Sequence, residues 1–170
     1  AQAPWPKRMD IDGSGAAQAP AILPVDSRLP RGLALAAHEL SEVTFGRDVL
    51  YALGKVSRPG ETWEGAVLAS CDQLLGFVVY GCRRPAQQLS VKFLAVEASV
   101  RRQGHGRRLL DHARVRCAEM GLPQLLLTCR TEDAAAFYVS LGLRDETRKW
   151  RRLEPALMEG SGLRVFETEV

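Results

Sequence analysis

The sequence predicts one α/β domain over residues 20–170, built on a twisted, mixed, mostly antiparallel sheet flanked by helices. Two strand-like runs, 63–70 and 74–82, are separated by Cys71-Asp72-Gln73 alone, which is a hairpin signature. A further run at 88–96 is followed by a helical pattern and then by the buried-strand run 124–129, so these two strands are expected to lie parallel across a crossover helix. At 170 residues, with 46% hydrophobic and 25% charged residues, the chain is long and apolar enough for one domain with a real core.

Residues 1–19 are rich in Ala, Gly, Gln and Pro with no apolar period, and are expected to form a flexible arm. Ala21-Ile22-Leu23-Pro24-Val25 reads as a first strand, with Pro24 suiting an edge. Over 31–56 the apolar residues Leu33, Leu35, Ala36, Leu40 and Val43, then Val49, Leu50 and Leu53, predict two short helices meeting near Phe45-Gly46. The helix after the third sheet strand carries Leu109, Leu110, Ala113, Cys117 and Met120 on one face, with Gly121 placed to cap it. A short helix over 133–141 closes at Gly142, and the tail offers two candidate strands, 147–153 and 163–170.

Composition excludes some functions. No apolar run reaches the roughly 18 residues that span a bilayer, and a net charge of +3 gives no nucleic-acid signature. The cysteines at 71, 82, 117 and 129 have no CxxC spacing and sit in apolar surroundings, so they read as reduced core residues, with no metal site. The expectation is a soluble, cytoplasmic protein, an organelle staying open, with no membrane or nucleic-acid partner, acting as a monomer or homodimer.

The strand ending at Val96 turns through Arg101-Arg102-Gln103-Gly104-His105-Gly106 into a helix. The first amides of a helix lack internal partners and carry the positive end of its dipole, and glycines let a phosphate approach the backbone closely. Arg101, Arg102, Arg107 and Arg108 add charge around it. The turn is no dinucleotide fingerprint and lacks a Walker lysine. By itself it fits a phosphate site and a plain helix entry equally.

Leu94-Ala95-Val96, followed by Arg101, Gly104 and Gly106, resembles motif A of the GCN5-related N-acetyltransferase superfamily. Phe137-Tyr138, followed by Leu141-Gly142-Leu143, resembles that family's closing motif, and Gly76 matches a glycine of its third strand. The resemblance spans about 20–153. It implies a central parallel pair of strands that splay apart, with acetyl-CoA as co-substrate and acetyl-pantetheine in the gap. The cofactor site would comprise Leu94, Ala95, Val96, Arg101, Arg102, Gln103, Gly104, His105, Gly106 and Arg107. Within it, the backbone of Leu94 and Val96 would pair with pantetheine, and amides from Arg102 to Arg107 would hold pyrophosphate. A bulge would aim a backbone N–H, that of Val96, at the thioester carbonyl, and Tyr138 would give a proton to the departing thiolate.

The resemblance leaves the acceptor side less defined. The family's usual glutamate or histidine bases fall at Ser90 and Lys92, and its frequent asparagine falls at Thr131. Strand alternation puts Ser90, Lys92 and Leu94 on one face unless the bulge intervenes. Lys92 there could attract an acidic acceptor, act as a base, or reach solvent at the rim. Glu64, Tyr80 or a water chain could take the amine's proton, and Tyr80 joins Ser90 and Lys92 as a substrate-binding candidate. Cys129 offers a covalent route, which a buried thiol disfavours. Tyr138 also reads as a core aromatic beside Phe137, His105 as a solvated loop residue, and His38 and His112 as ordinary helix positions. The implied function is acetyl transfer to an amine on a protein or a small molecule by direct attack in a ternary complex. The alternative is a CoA sensor that transfers nothing.

Overall fold

The computed structural model describes residues 19–53 and 60–170, so all but the last residue of the expected arm lies outside the described residues. The elements in chain order are β1 (Ala21–Pro24), α1 (Arg31–Phe45), β2 (Glu61–Ser70), β3 (Gln73–Arg83), β4 (Gln88–Val96), α2 (His105–Glu119) and β5 (Gln124–Cys129). They continue as α3 (Glu132–Ser140), β6 (Arg144–Asp145), α4 (Thr147–Leu153), α5 (Pro155–Met158) and β7 (Arg164–Glu169). The strands form one seven-stranded sheet in the order β1-β2-β3-β4-β5-β7-β6. Every neighbouring pair is antiparallel except β4 and β5, which are parallel across α2. Pro24 sits on the edge strand, where a missing N–H costs no ladder bond.

The sheet is covered on both faces. On one, α2 buries Leu109, Leu110, Ala113 and Cys117 against Leu89, Val91, Leu125 and Leu127, and α3 adds Ala135 and Tyr138. We call this the α2 face. On the other, α1 buries Leu33, Ala37 and Leu40 against Val67, Phe77, Val79 and Ala95. Farther along that α1 face, Trp150 and Met158 pack on Leu126 and Val165. Gly121, in the left-handed region at φ 66°, ends α2 as expected.

Two expectations are corrected. The two helices expected over 31–56 are one, α1, followed by a single 3-10 turn at Leu50–Ala52, with 54–56 outside the described residues. Gly46 ends α1 at φ 68°, and Ser41 then fixes the chain's return by accepting the Val49 N–H at 2.8 Å. The strand expected over 147–153 is α4, and the strand pairing there is the shorter β6 just before it. Asp145 accepts the Thr147 N–H and turns the chain after β6, and the following Arg, Lys and Leu residues are good helix formers. Among the described residues, no helix is long and apolar enough to cross a membrane.

Candidate active site

The splay expected in the sheet is present. β4 and β5 pair from Gln88 with Gln124 to Val91 with Leu127, and no pair follows. β4 nevertheless runs on against β3 to Val96. Residues 92–96 therefore have no β5 neighbour, and a gap opens along them. Backbone groups alternate between the two sides of a strand. The Glu97 N–H donates to the Leu75 carbonyl at 3.0 Å, which sets the phase of this ladder. Phe93 and Ala95 bond toward β3, and the N–H and C=O groups of Leu94 and Val96 point into the gap. Arg101 Nε donates to the Val96 carbonyl at 3.1 Å and ties the following turn to this edge.

That turn is concave. Arg102 has φ 62° and Gly104 φ 82°, and such alternation turns successive N–H groups toward one point. The first helical bond of α2 runs from the Arg108 N–H to the Gly104 carbonyl at 3.1 Å, so the N–H groups of His105, Gly106 and Arg107 have no helical acceptor. Gly106 lets two elements meet: a Cβ there would lie 3.1 Å from Phe137 Cζ, in α3. Arg108 donates to the Pro20 carbonyl at 2.7 Å, so it is not a free cation of the turn. His105 is not a solvated loop residue. It opens α2, and its Nδ1 is buried without a hydrogen-bond partner among the described residues. The free amides and the open β4 edge fit the pyrophosphate and the pantetheine of acetyl-CoA.

Tyr138 lies in α3 and packs into the core of the α2 face. Its ring is buried, edge-on to Phe166 at 5.4 Å and tilted against Phe137 at 5.6 Å, so it is a core aromatic as well. Among the described residues nothing hydrogen-bonds its hydroxyl. Burial first, and then the nearby Cys129, push its pKa up to about 12. Burial likewise raises the Cys129 thiol, which keeps it protonated and removes the basis for a covalent route. Thr131, at the position of the family's asparagine, caps α3 by accepting the Ala134 N–H at 3.3 Å.

The bulge lies at Lys92 rather than beside Val96. Phe93 faces Val79 and Val91 faces Tyr80, so Lys92 is the extra residue of β4. It interrupts the alternation: Val91, Leu94 and Val96 face α2, whereas Phe93 and Ala95 pack with α1. Lys92 lies on the α1 face with Ser90, and Leu94 is not with them. Its Nζ is 2.9 Å from Oε1 of Glu61, a carboxylate only 2% exposed, and 5.8 Å from the Trp63 ring. Tyr80 is on the opposite face under α2, its hydroxyl 3.4 Å from His112 Nε2. Burial, then the negative Glu64, push its pKa up to about 12, while burial lowers that of His112. Glu64 is bound by Arg116 at 3.0 Å. Neither Glu64 nor Tyr80 shares a face with Ser90 and Lys92.

Glu61 escaped sequence reading because the second strand was expected to begin at Trp63. The available signal was an acidic residue just upstream of an apolar strand, with Gly81 two strand positions before Arg83, its partner across the hairpin.

The family model described as acetyltransferase (GNAT) domain matches residues 61–144. No curated protein matches the chain in sequence. Among solved structures it is similar to a tandem GNAT protein from the clavulanic acid biosynthesis pathway, with 21% identity over 74% of this chain and a TM-score of 0.63. It is also similar to N-acetylglutamate synthase from Neisseria gonorrhoeae complexed with coenzyme A and N-acetyl-glutamate, with 17% identity over 88% of this chain and a TM-score of 0.65. The chain spans 44% of the first of these proteins and 35% of the second. The chain is also similar to the ribosomal-protein-S18-alanine N-acetyltransferase from Escherichia coli, with 19% identity, 89% of this chain and 94% of that one covered, and a TM-score of 0.62.

Proposed function

The chain belongs to the GNAT acetyltransferase family, and from that premise we propose that it is an N-acetyltransferase using acetyl-CoA as co-substrate. The observation that carries this reading is the open edge of β4: gap-directed backbone at Leu94 and Val96, running into the free amides of the turn before α2. Bound acetyl-CoA supplies an activated acetyl thioester to an amine held in the same complex. The amides from Arg102 to Arg107 hold the pyrophosphate, with Arg101 steadying the turn. The N–H groups of Leu94 and Val96 are the donors on offer, one for the thioester carbonyl and the other for a pantetheine amide. Ser90 and Lys92 line the acceptor side. Because Glu64 and Tyr80 lie across the sheet, the amine's proton leaves through water.

Tyr138 supplies the proton for the thiolate. With its pKa near 12 it stays protonated through the neutral range, so the donor is always loaded. Tyr138→Phe is expected to lower kcat about tenfold to a hundredfold while leaving CoA affinity unchanged. The pH–rate profile of the wild type should show no limb from this group below about pH 10. Unchanged turnover in Tyr138→Phe would make the residue a packing group only.

The reading as a whole is tested by mass analysis of an amine mixture, with protein and small-molecule acceptors, incubated with acetyl-CoA and the protein. A mass gain of one acetyl group on an acceptor is expected, and it should vanish with Gly104→Glu. CoA binding with no transfer to any acceptor would return the sensor reading.

A further inference from the structure

We propose that the ion pair between Lys92 and Glu61 is a strap across β3 that sets where β4 parts from β5, which makes both of them positioning residues. The proposal rests on the transferase reading for its consequence, but its physical basis is independent. Lys92 is the extra residue of the β4 bulge, and it is also the first residue past the last β4–β5 pair, Val91 with Leu127. The kink and the opening of the gap therefore coincide at one side chain. That side chain leaves β4, passes over β3 and reaches Glu61 on β2 at 2.9 Å. The path is kept clear by Gly81, where a Cβ would lie 2.6 Å from Glu61 Oε1 and 2.9 Å from Lys92 Cε. Trp63, the cross-strand partner of Gly81, places its ring 5.8 Å from the ammonium.

Geometry, rather than stability, is what such a pair contributes. Desolvating two charges offsets much of their attraction, and apolar replacements of similar volume are often as stable. A bulge is a soft point in a ladder, because the extra residue has no partner to hold it. Anchoring it to a carboxylate 2% exposed fixes the direction in which β4 departs, and with it Leu94 and Val96. The same contact commits the ammonium within the protein, so Lys92 is held away from the role of attracting an acidic acceptor.

The test uses the full chain carrying Glu61→Leu with Lys92→Met, which avoids stranding one buried charge, beside Lys92→Arg, which keeps the pair. Circular dichroism confirms folding. Amide exchange at Phe93 and Ala95, whose N–H groups bond toward β3, is expected to speed up about tenfold in the apolar double variant, with exchange in β2 unchanged. Its kcat should fall about ten- to a hundredfold, since a reacting group displaced by an ångström loses about that much. CoA affinity should fall by less than kcat does, because the amides of the turn before α2 are untouched and only the pantetheine contacts at Leu94 and Val96 loosen. Lys92→Arg should recover most of the slow exchange and most of the rate. Unchanged exchange at Phe93 and Ala95 in the double variant overturns the strap, whatever the turnover. Faster exchange with undiminished kcat overturns the positioning role. Normal exchange in Lys92→Arg with activity abolished does so too, and makes Lys92 a proton carrier. A wild type that transfers acetyl to nothing, with the exchange pattern as expected, supports the strap and sinks the transferase reading alone.

Discussion

Gly104→Glu is expected to weaken CoA binding by at least about a hundredfold, since it replaces charge-assisted hydrogen bonds worth about 1.5–3 kcal/mol each with a repelling carboxylate. Gly104 lies at φ 82°, and a Cβ there meets nothing within 4 Å, so the fold has room for the side chain. The left-handed conformation costs a non-glycine residue about 1–2 kcal/mol, which Gly104→Ala isolates. Calorimetry with CoA should rank wild type, Ala and Glu in that order, with the largest step at Glu. Circular dichroism should show all three folded. Equal affinity of wild type and Gly104→Glu would move the phosphate away from this turn.

Gly76→Ala is expected to destabilise the fold by about 1–3 kcal/mol, the usual cost of overpacking a filled interior. A Cβ at Gly76 would lie 2.5 Å from the carbonyl oxygen of Ala95 and 3.2 Å from the Cα of Val96. The atoms that must yield are backbone, so β3 and β4 have to separate near the open edge. Denaturant melts should show a lower midpoint, and CoA affinity should fall along with it because Val96 moves. A wild-type midpoint would mean that the strands can part freely here.

The helix-entry turn was legible because its geometry is local. A tight turn into a helix asks for glycine within a few residues, and Gly104, at φ 82°, marks it; the turn's reading as a phosphate site came from the resemblance. Strand β4 was legible to its ends, since apolar residues and the hairpin before it fix its register. The faces of its residues past Val91 were not. A single extra residue at Lys92 reverses every later side chain relative to the earlier ones, and no pattern in 88–96 marks it. The same limit hid α4, whose short run 147–153 carries no helical apolar period and includes the strand-favouring Thr147 and Trp150. Its helix is opened by Asp145 and held by Glu167, which accepts from Lys149 at 2.9 Å and from Trp150 Nε1 at 2.6 Å.

The sequence by itself determined the α/β class, the parallel pair across α2, the helix-entry turn and the place of Tyr138 at the start of the closing motif. Each depends on hydrophobic period or on residue types spaced along the chain. Tertiary structure alone decided that Lys92 meets Glu61, that Tyr80 turns to His112 under α2, and that the gap opens after Val91. These partners are 31 and 32 residues apart in the chain, and strand pairing brings them together. A lysine's meaning is set by which carboxylate it reaches, and that distance does not exist until the sheet has formed.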